Sequence, residues 1–267
     1  MARYARLFGV NRRLKGAARR LAAVSAALAL GWAAAILVPP AAHAGEALSD
    51  AQKAEIEALI ERYLAEHPEA ILESVQTFRE REEAQARERT QANLVALSDR
   101  IKFDPAAPVA GNPDGNVTVV EFFDYKCGYC KRSLEMVMAL IRDDPDVRVV
   151  FREFPILTPE SARAAKAALA SVRQGKYLEF HYALMSSRGS LDDQQIMDIA
   201  AEVGLDVDQL ARDMEAPEIA AHIDANHALG RELDISGTPT FIVEDQLFPG
   251  AIDAEVMRRA VAEQRAG

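Results

Sequence analysis

Seven strand-forming residues, Val117-Thr118-Val119-Val120-Glu121-Phe122-Phe123, are followed three positions later by Cys127-Gly128-Tyr129-Cys130. A mostly apolar run of that length reads as a buried strand. The amphipathic stretch that begins at or just after Cys127 and continues through Leu140 reads as a helix. The two sulfurs, from the only two cysteines in the chain, therefore sit at a strand-to-helix junction. This junction favours an α/β fold.

A helix start presents unpaired N–H groups and a partial positive charge, which stabilise a thiolate. Two intervening residues keep the second sulfur within reach of the first. Cys127 is thus the expected nucleophile towards a substrate disulfide, and Cys130 the thiol that resolves the mixed disulfide. Two other readings compete. A zinc site needs two further soft ligands, and His67, His181, His222 and His227 show no ligand spacing close to the pair. A purely structural disulfide closing so short a ring restrains the unfolded chain little. No bound cofactor is expected, because the cysteines themselves carry the electrons.

The chain opens with a basic segment containing Arg3, Arg6, Arg12, Arg13, Lys15, Arg19 and Arg20, then an apolar stretch from Leu21 to Val38, then Ala42-His43-Ala44. This order reads as a signal peptide over 1–44 with cleavage after Ala44. An uncleaved membrane anchor is the alternative, since the apolar stretch is just long enough to span. Export to the periplasm is the expectation. Removing those seven cations moves the formal charge from −10 to about −17. Such an acidic chain has no use for nucleic acid as a partner, because phosphate binding needs a basic face. With 49% hydrophobic residues, a packed core is also expected rather than wholesale disorder.

Three zones follow the leader. The first, within 45–103, is helical from about Leu48. Ser49 or Asp50 caps it, Ile56, Leu59, Ile60, Tyr63 and Leu64 form an apolar face, and His67-Pro68 breaks it. Ile71, Leu72, Val75 and Phe78 rebuild the face, and the charged run Arg79–Gln91 interrupts it. The second zone, 104–116, reads as a linker, with Pro105, Pro108, Pro113, Gly111 and Gly115 close together. The third, 117–267, alternates strand and helix patterns: strands at 117–123, 147–151, 240–243 and 246–248, and a helical block at about 160–234 between them.

The stretch from Val119 to Cys130 resembles the DsbA-like branch of the thioredoxin superfamily, and Ile235-Ser236-Gly237-Thr238-Pro239-Thr240-Phe241 resembles the loop that carries that superfamily's cis-proline. The resemblance implies an α/β thioredoxin fold with an inserted helical domain, preceded here by a helical extension. It implies thiol–disulfide oxidoreductase activity on exported proteins with cysteines, and a membrane redox partner that resets the pair. It also implies a cis Pro239 beside Cys127, with Thr238 offering backbone groups to a substrate chain. An ordinary trans turn is the alternative. By the same resemblance Glu121 is the buried acid that relays the Cys130 proton, the alternative being a satisfied strand carboxylate. Gly128-Tyr129 between the cysteines, with Thr238 before the proline, is more similar to the superfamily's disulfide isomerases or reductases than to its net oxidases, which carry Pro-His there.

The apolar faces of the first zone are too substantial to stay wet. They pack either on their own domain or on copies of themselves. The arrangement resembles the ScsC proteins of this branch, in which such a segment oligomerises, in some members as trimers. A homo-oligomer, with a trimer favoured, is the expectation. A reading of another class, a non-catalytic copper-handling or holdase module, remains beside these. His181 and the scattered methionines Met136, Met138, Met185, Met197 and Met214 read as packing residues.

Overall fold

The computed structural model describes residues 48–266, so the expected signal peptide lies outside the described residues. The chain divides into two units, one ending at Arg62 and one spanning Tyr63–Gly267. Helix α1 (Asp50–Glu66) starts at a reciprocal cap: Gln52 N–H donates to Ser49 Oγ at 3.3 Å, and Ser49 N–H donates to Gln52 Oε1 at 2.9 Å. It buries none of its side chains. Pro68 ends that stretch and opens α2 (Glu69–Ala96), where a missing N–H costs nothing.

In the larger unit, a five-stranded sheet has the order β1-β3-β2-β4-β5. Its strands are β1 (Val109–Gly111), β2 (Val117–Phe123), β3 (Val147–Glu153), β4 (Thr240–Val243) and β5 (Gln246–Pro249). Only the β2–β3 pair is parallel, with Glu121 opposite Phe151 and Phe123 opposite Glu153. β2 and β3 are buried along their whole lengths. This is why β2 reads as a near-continuous apolar run rather than an alternating one, whereas β3 carries Arg148, Arg152 and Glu153 within its buried span. Alternation still sorts their side chains. Val117, Val119, Phe123, Val149 and Phe151 enter one core with α4 (Gly128–Asp143), α5 (Pro159–Ser171), α6 (Tyr177–Ser186) and α10 (Ala254–Ala266). Val120, Phe122 and Val150 enter a second core on the opposite face. The inserted block runs from α5 through α7 (Asp193–Glu202), α8 (Val207–Asp213) and α9 (Pro217–Glu232). Thr158, Asp192 and Asp206 cap three of its helices. The expected thioredoxin fold with a helical insertion is therefore present, preceded by helices.

One expectation needs correction. The segment 104–116 is not a free linker, because β1 pairs antiparallel with β3 and forms one edge of the sheet. Prolines flanking a three-residue edge strand do no harm, since an edge leaves one row of backbone groups unpaired anyway. The Pro108 carbonyl even accepts from Phe151 N–H at 2.9 Å. Gly111, at φ +75°, is needed there: a Cβ would stand 2.5 Å from the Val147 carbonyl oxygen. The helices preceding it also reach the core. Leu94 near the end of α2 and Ile101 of α3 (Ser98–Lys102) are buried in the second core with Leu229 and Leu233. Arg152, fully buried, secures this segment. It donates to the carbonyls of Arg100 and Ile101 and to Asp104 Oδ2 at 2.6 Å.

Candidate active site

β2 ends in a tight turn that delivers Cys127 to the first position before α4. Asp124, buried at that turn, holds it from three sides. Its Oδ1 accepts from Lys126 N–H and from Ser161 Oγ, both at 2.7 Å, and its Oδ2 accepts from the N–H groups of Ile156 and Leu157 at 2.9 and 3.0 Å. Cys127 is the N-cap of α4, and its sulfur accepts from Cys130 N–H at 3.5 Å. Both cysteines are buried, unpaired thiols. Tyr129 between them is exposed, with the Arg132 guanidinium 4.1 Å from its ring centre.

The loop 235–239 closes the site from the other side. The Thr238–Pro239 bond is cis. The Thr238 carbonyl oxygen lies 3.1 Å from Cys127 Sγ, and Pro239 C=O accepts from Gly250 N–H at 2.9 Å. Cys127, Cys130, Thr238 and Pro239, distant in sequence, thus meet at one point. Glu121 lies beneath them, on the same side of β2 as Phe123 and only 2% exposed.

The electrostatics separate the two sulfurs. Hydrogen bonding from the Cys130 thiol is the largest influence on Cys127. Burial opposes it, and Thr238 and the N–H groups of Cys130 and Tyr129 add to it, leaving the Cys127 pKa at about 5 against an ordinary 9.0. Burial pushes the Cys130 thiol far up, and its hydrogen bond to Cys127 and the charge of Glu121 push it further. Glu121 is raised to about 8, first by burial and then by the Cys127 thiolate. At neutral pH the arrangement holds one thiolate, one thiol and one protonated acid. It is built for one sulfur to attack and the other to wait.

Sequence reasoning missed a group of residues below the turn. Glu153, the last residue of β3, is fully buried and bound to Tyr125 and Tyr177, and Tyr125 in turn to His181. The available signal was the pair Arg152-Glu153 running straight on from an apolar strand, where charge is expected only if it is partnered. His181 does pack, as expected, but inside a ring of aromatic side chains.

Residues 118–262 match the DSBA-like thioredoxin domain, and residues 52–85 match the copper resistance protein ScsC N-terminal domain. A thioredoxin-like oxidoreductase from Silicibacter pomeroyi is 51% identical, with a TM-score of 0.62 over 63% of this chain and 98% of that one. A linker-deletion variant of Proteus mirabilis ScsC is 28% identical, with a TM-score of 0.63 over 83% of this chain and 99% of that one. Among curated proteins, a Na(+)/H(+) antiporter NhaA 1 of Salinispora arenicola is 34% identical over 166 residues, 60% of this chain. The chain spans only 25% of that relative's length. Among the described residues no helix is long and apolar enough to cross a membrane. The chain belongs to the DSBA-like thioredoxin family, and ahead of that domain residues 52–85 match the ScsC N-terminal domain.

Proposed function

We propose that the protein is a periplasmic disulfide isomerase or reductase that acts on exported proteins through Cys127 and Cys130. The observation that carries the chemistry is the contrast between a capped, acidic Cys127 and a buried Cys130 held as a thiol. The Cys127 thiolate attacks a client disulfide. Its S–S bond breaks, one client sulfur leaves as thiolate, and the other stays in a mixed disulfide with Cys127. Once Cys127 carries no charge, Glu121 loses the smaller of the two influences that raise its pKa, burial being the larger; it gives its own proton to water or to the departing client thiolate, and the carboxylate so formed accepts the Cys130 proton. Cys130 then attacks Cys127 and releases the reduced client. In isomerisation the freed client thiolate attacks another disulfide of its own chain, and the thiolate released there attacks the client sulfur of the mixed disulfide, which forms a new client disulfide and regenerates the Cys127 thiolate with no net electron transfer.

Support for shuffling over net oxidation comes from Gly128-Tyr129 between the cysteines, from Thr238 before the proline, and from the exposed apolar faces at 52–85, which suit self-association. One observation favours the second reading, net oxidation with a membrane partner that re-oxidises the pair: a thiolate this stable stabilises the reduced form and makes the disulfide a stronger oxidant. The equilibrium potential against glutathione separates them. A value near about −200 mV fits the proposal, and one near about −120 mV fits an oxidase. Role assignment is tested separately. Cys130→Ala is expected to accumulate mixed disulfides with clients, and Cys127→Ala to abolish both trapping and turnover. Equal trapping by the two variants overturns the assignment. Stoichiometric Cu(I) binding without turnover of scrambled ribonuclease would replace the whole reading with a copper-handling one.

A further inference from the structure

A second buried acid lies behind the cysteine pair. Glu153 ends β3 on the face that Phe123 and Phe151 share. Its Oε1 accepts from the Tyr125 hydroxyl at 3.1 Å and from the Tyr177 hydroxyl at 3.0 Å. The Tyr125 oxygen is also 3.0 Å from His181 Nδ1. Tyr125 stands two residues before Cys127, in the turn that presents it. A continuous hydrogen-bonded chain therefore joins a carboxyl group in the core to the segment that aims the nucleophile.

An ionised carboxylate at this depth would need a cation or several strong donors. Among the described residues no Lys, Arg or His forms an ion pair with Glu153, and its Oε2 is buried without a hydrogen-bond partner. Arg152, next along the strand, is directed to the other face of the sheet and engaged with Asp104. The groups around Glu153 add no positive charge. From β2 and its turn come Glu121, Asp124 and Tyr125, and from α6 come Tyr177 and His181. From α9, Asn226 donates only to the Glu153 backbone carbonyl. Burial holds Glu153 well above the usual carboxylate range, keeps both tyrosines protonated and lowers His181 to about 3. With all four neutral, the contacts at Oε1 are consistent: His181 Nδ1–H donates to the Tyr125 oxygen, both tyrosine hydroxyls donate to Glu153 Oε1, and the acid's own proton sits on Oε2, which has no partner.

We propose that Glu153 is a positioning residue for the exchange reaction: as an uncharged acid it holds the Tyr125 hydroxyl, and so fixes the 124–126 turn that sets Cys127 Sγ at the N-terminus of α4. The inference rests on Cys127 being the attacking sulfur. Neutrality matters, because a negative charge behind that turn would oppose the thiolate.

The test is a pH titration of the Cys127 thiolate in the reduced, full-length protein. It is followed by ultraviolet absorbance and by alkylation rate at pH 5, with thermal melts to establish folding. Glu153→Gln keeps an uncharged acceptor at the same place and is expected to leave the midpoint and the rate within about twofold of wild type. Tyr125→Phe cuts the link to the turn and is expected to raise the midpoint by about half a unit or more, slowing alkylation at pH 5 by roughly twofold or more. Tyr177→Phe removes the other donor to the same oxygen and leaves the midpoint in place. A lower midpoint in Glu153→Gln means that the native residue carries charge, and overturns the proposal. So does an unmoved midpoint in a well-folded Tyr125→Phe. Wild-type protein in which neither sulfur titrates below the ordinary thiol range overturns the nucleophile assignment and this proposal together.

Discussion

Two groups in this site are displaced from their ordinary pKa values in opposite directions, and each leaves a sign in the pH dependence of stability. Cys127, at about 5 in the folded reduced protein against 9.0, binds fewer protons than the unfolded chain across that window. Its contribution is complete above the unfolded value and is lost as pH falls through about 5. Glu121, at about 8 against 4.5, binds more protons than the unfolded chain. Its contribution is complete below the unfolded value and is lost as pH rises through about 8. The thiolate exists only in the reduced form. Reduced protein is therefore expected to gain stability relative to oxidised protein between pH 5 and 9, and Glu121→Gln is expected to steepen the rise for the reduced form by removing the opposing acid. Denaturant melts of both redox forms across that range measure it, and parallel profiles for the two forms would contradict the low Cys127 pKa.

Among the elements, the junction between the helical extension and the sheet was the least legible from sequence. Proline and glycine density reports local preference, and 104–116 is rich in both. β3 nevertheless recruits three of those residues as an edge strand, and Arg152 gathers the carbonyls of α3. The end of α2 shows the same effect. Leu94 is 2% exposed and its neighbour Val95 is 65% exposed. Leu94→Ala is expected to cost about 2–5 kcal/mol of folding stability, whereas Val95→Ala should change it by less than about 0.5 kcal/mol. Urea midpoints of the two variants decide whether this helix end belongs to the core. Equal, small losses would show that it does not.

At the scale of the whole molecule, the N-terminal helices present an apolar face that the single chain does not cover. Ile56, Leu59 and Ile60 on α1, and Ile71, Leu72, Val75 and Phe78 on α2, are all exposed in the single chain. Burying several of them together would outweigh the entropy of association, and bringing several reactive centres to one client raises their effective concentration. The protein is expected to scatter light as a homo-oligomer, with a trimer favoured, and deletion of residues 48–85 to yield a folded monomer. A deletion reaching Ile101 would be a poor test, because it also removes core side chains. The monomer should keep dithiol reactivity and lose refolding of scrambled ribonuclease. A monomeric full-length protein, or a truncation with undiminished refolding, would assign the helices another role.

Read alone, the sequence already determined the strand-to-helix placement of Cys127 and Cys130, the order of strands and helices from Val117 onward, and the helix break at His67-Pro68. Each depends on interactions within one or two turns of the chain: alternation of apolar side chains, an N-cap, a proline's missing N–H. Glu121 was legible only through the family resemblance, as the acid six residues before Cys127. Only the tertiary structure decided that Glu153 answers to Tyr125, Tyr177 and His181, that 104–116 closes the sheet edge, and that Leu94 and Ile101 enter the core. The partners in those contacts are 24 to 28 residues apart for Glu153 and its tyrosines, and 56 apart for Tyr125 and His181. Contacts at such separations are fixed by how helices and strands pack, because burial and polar pairing across a sheet leave no periodic trace in any one segment.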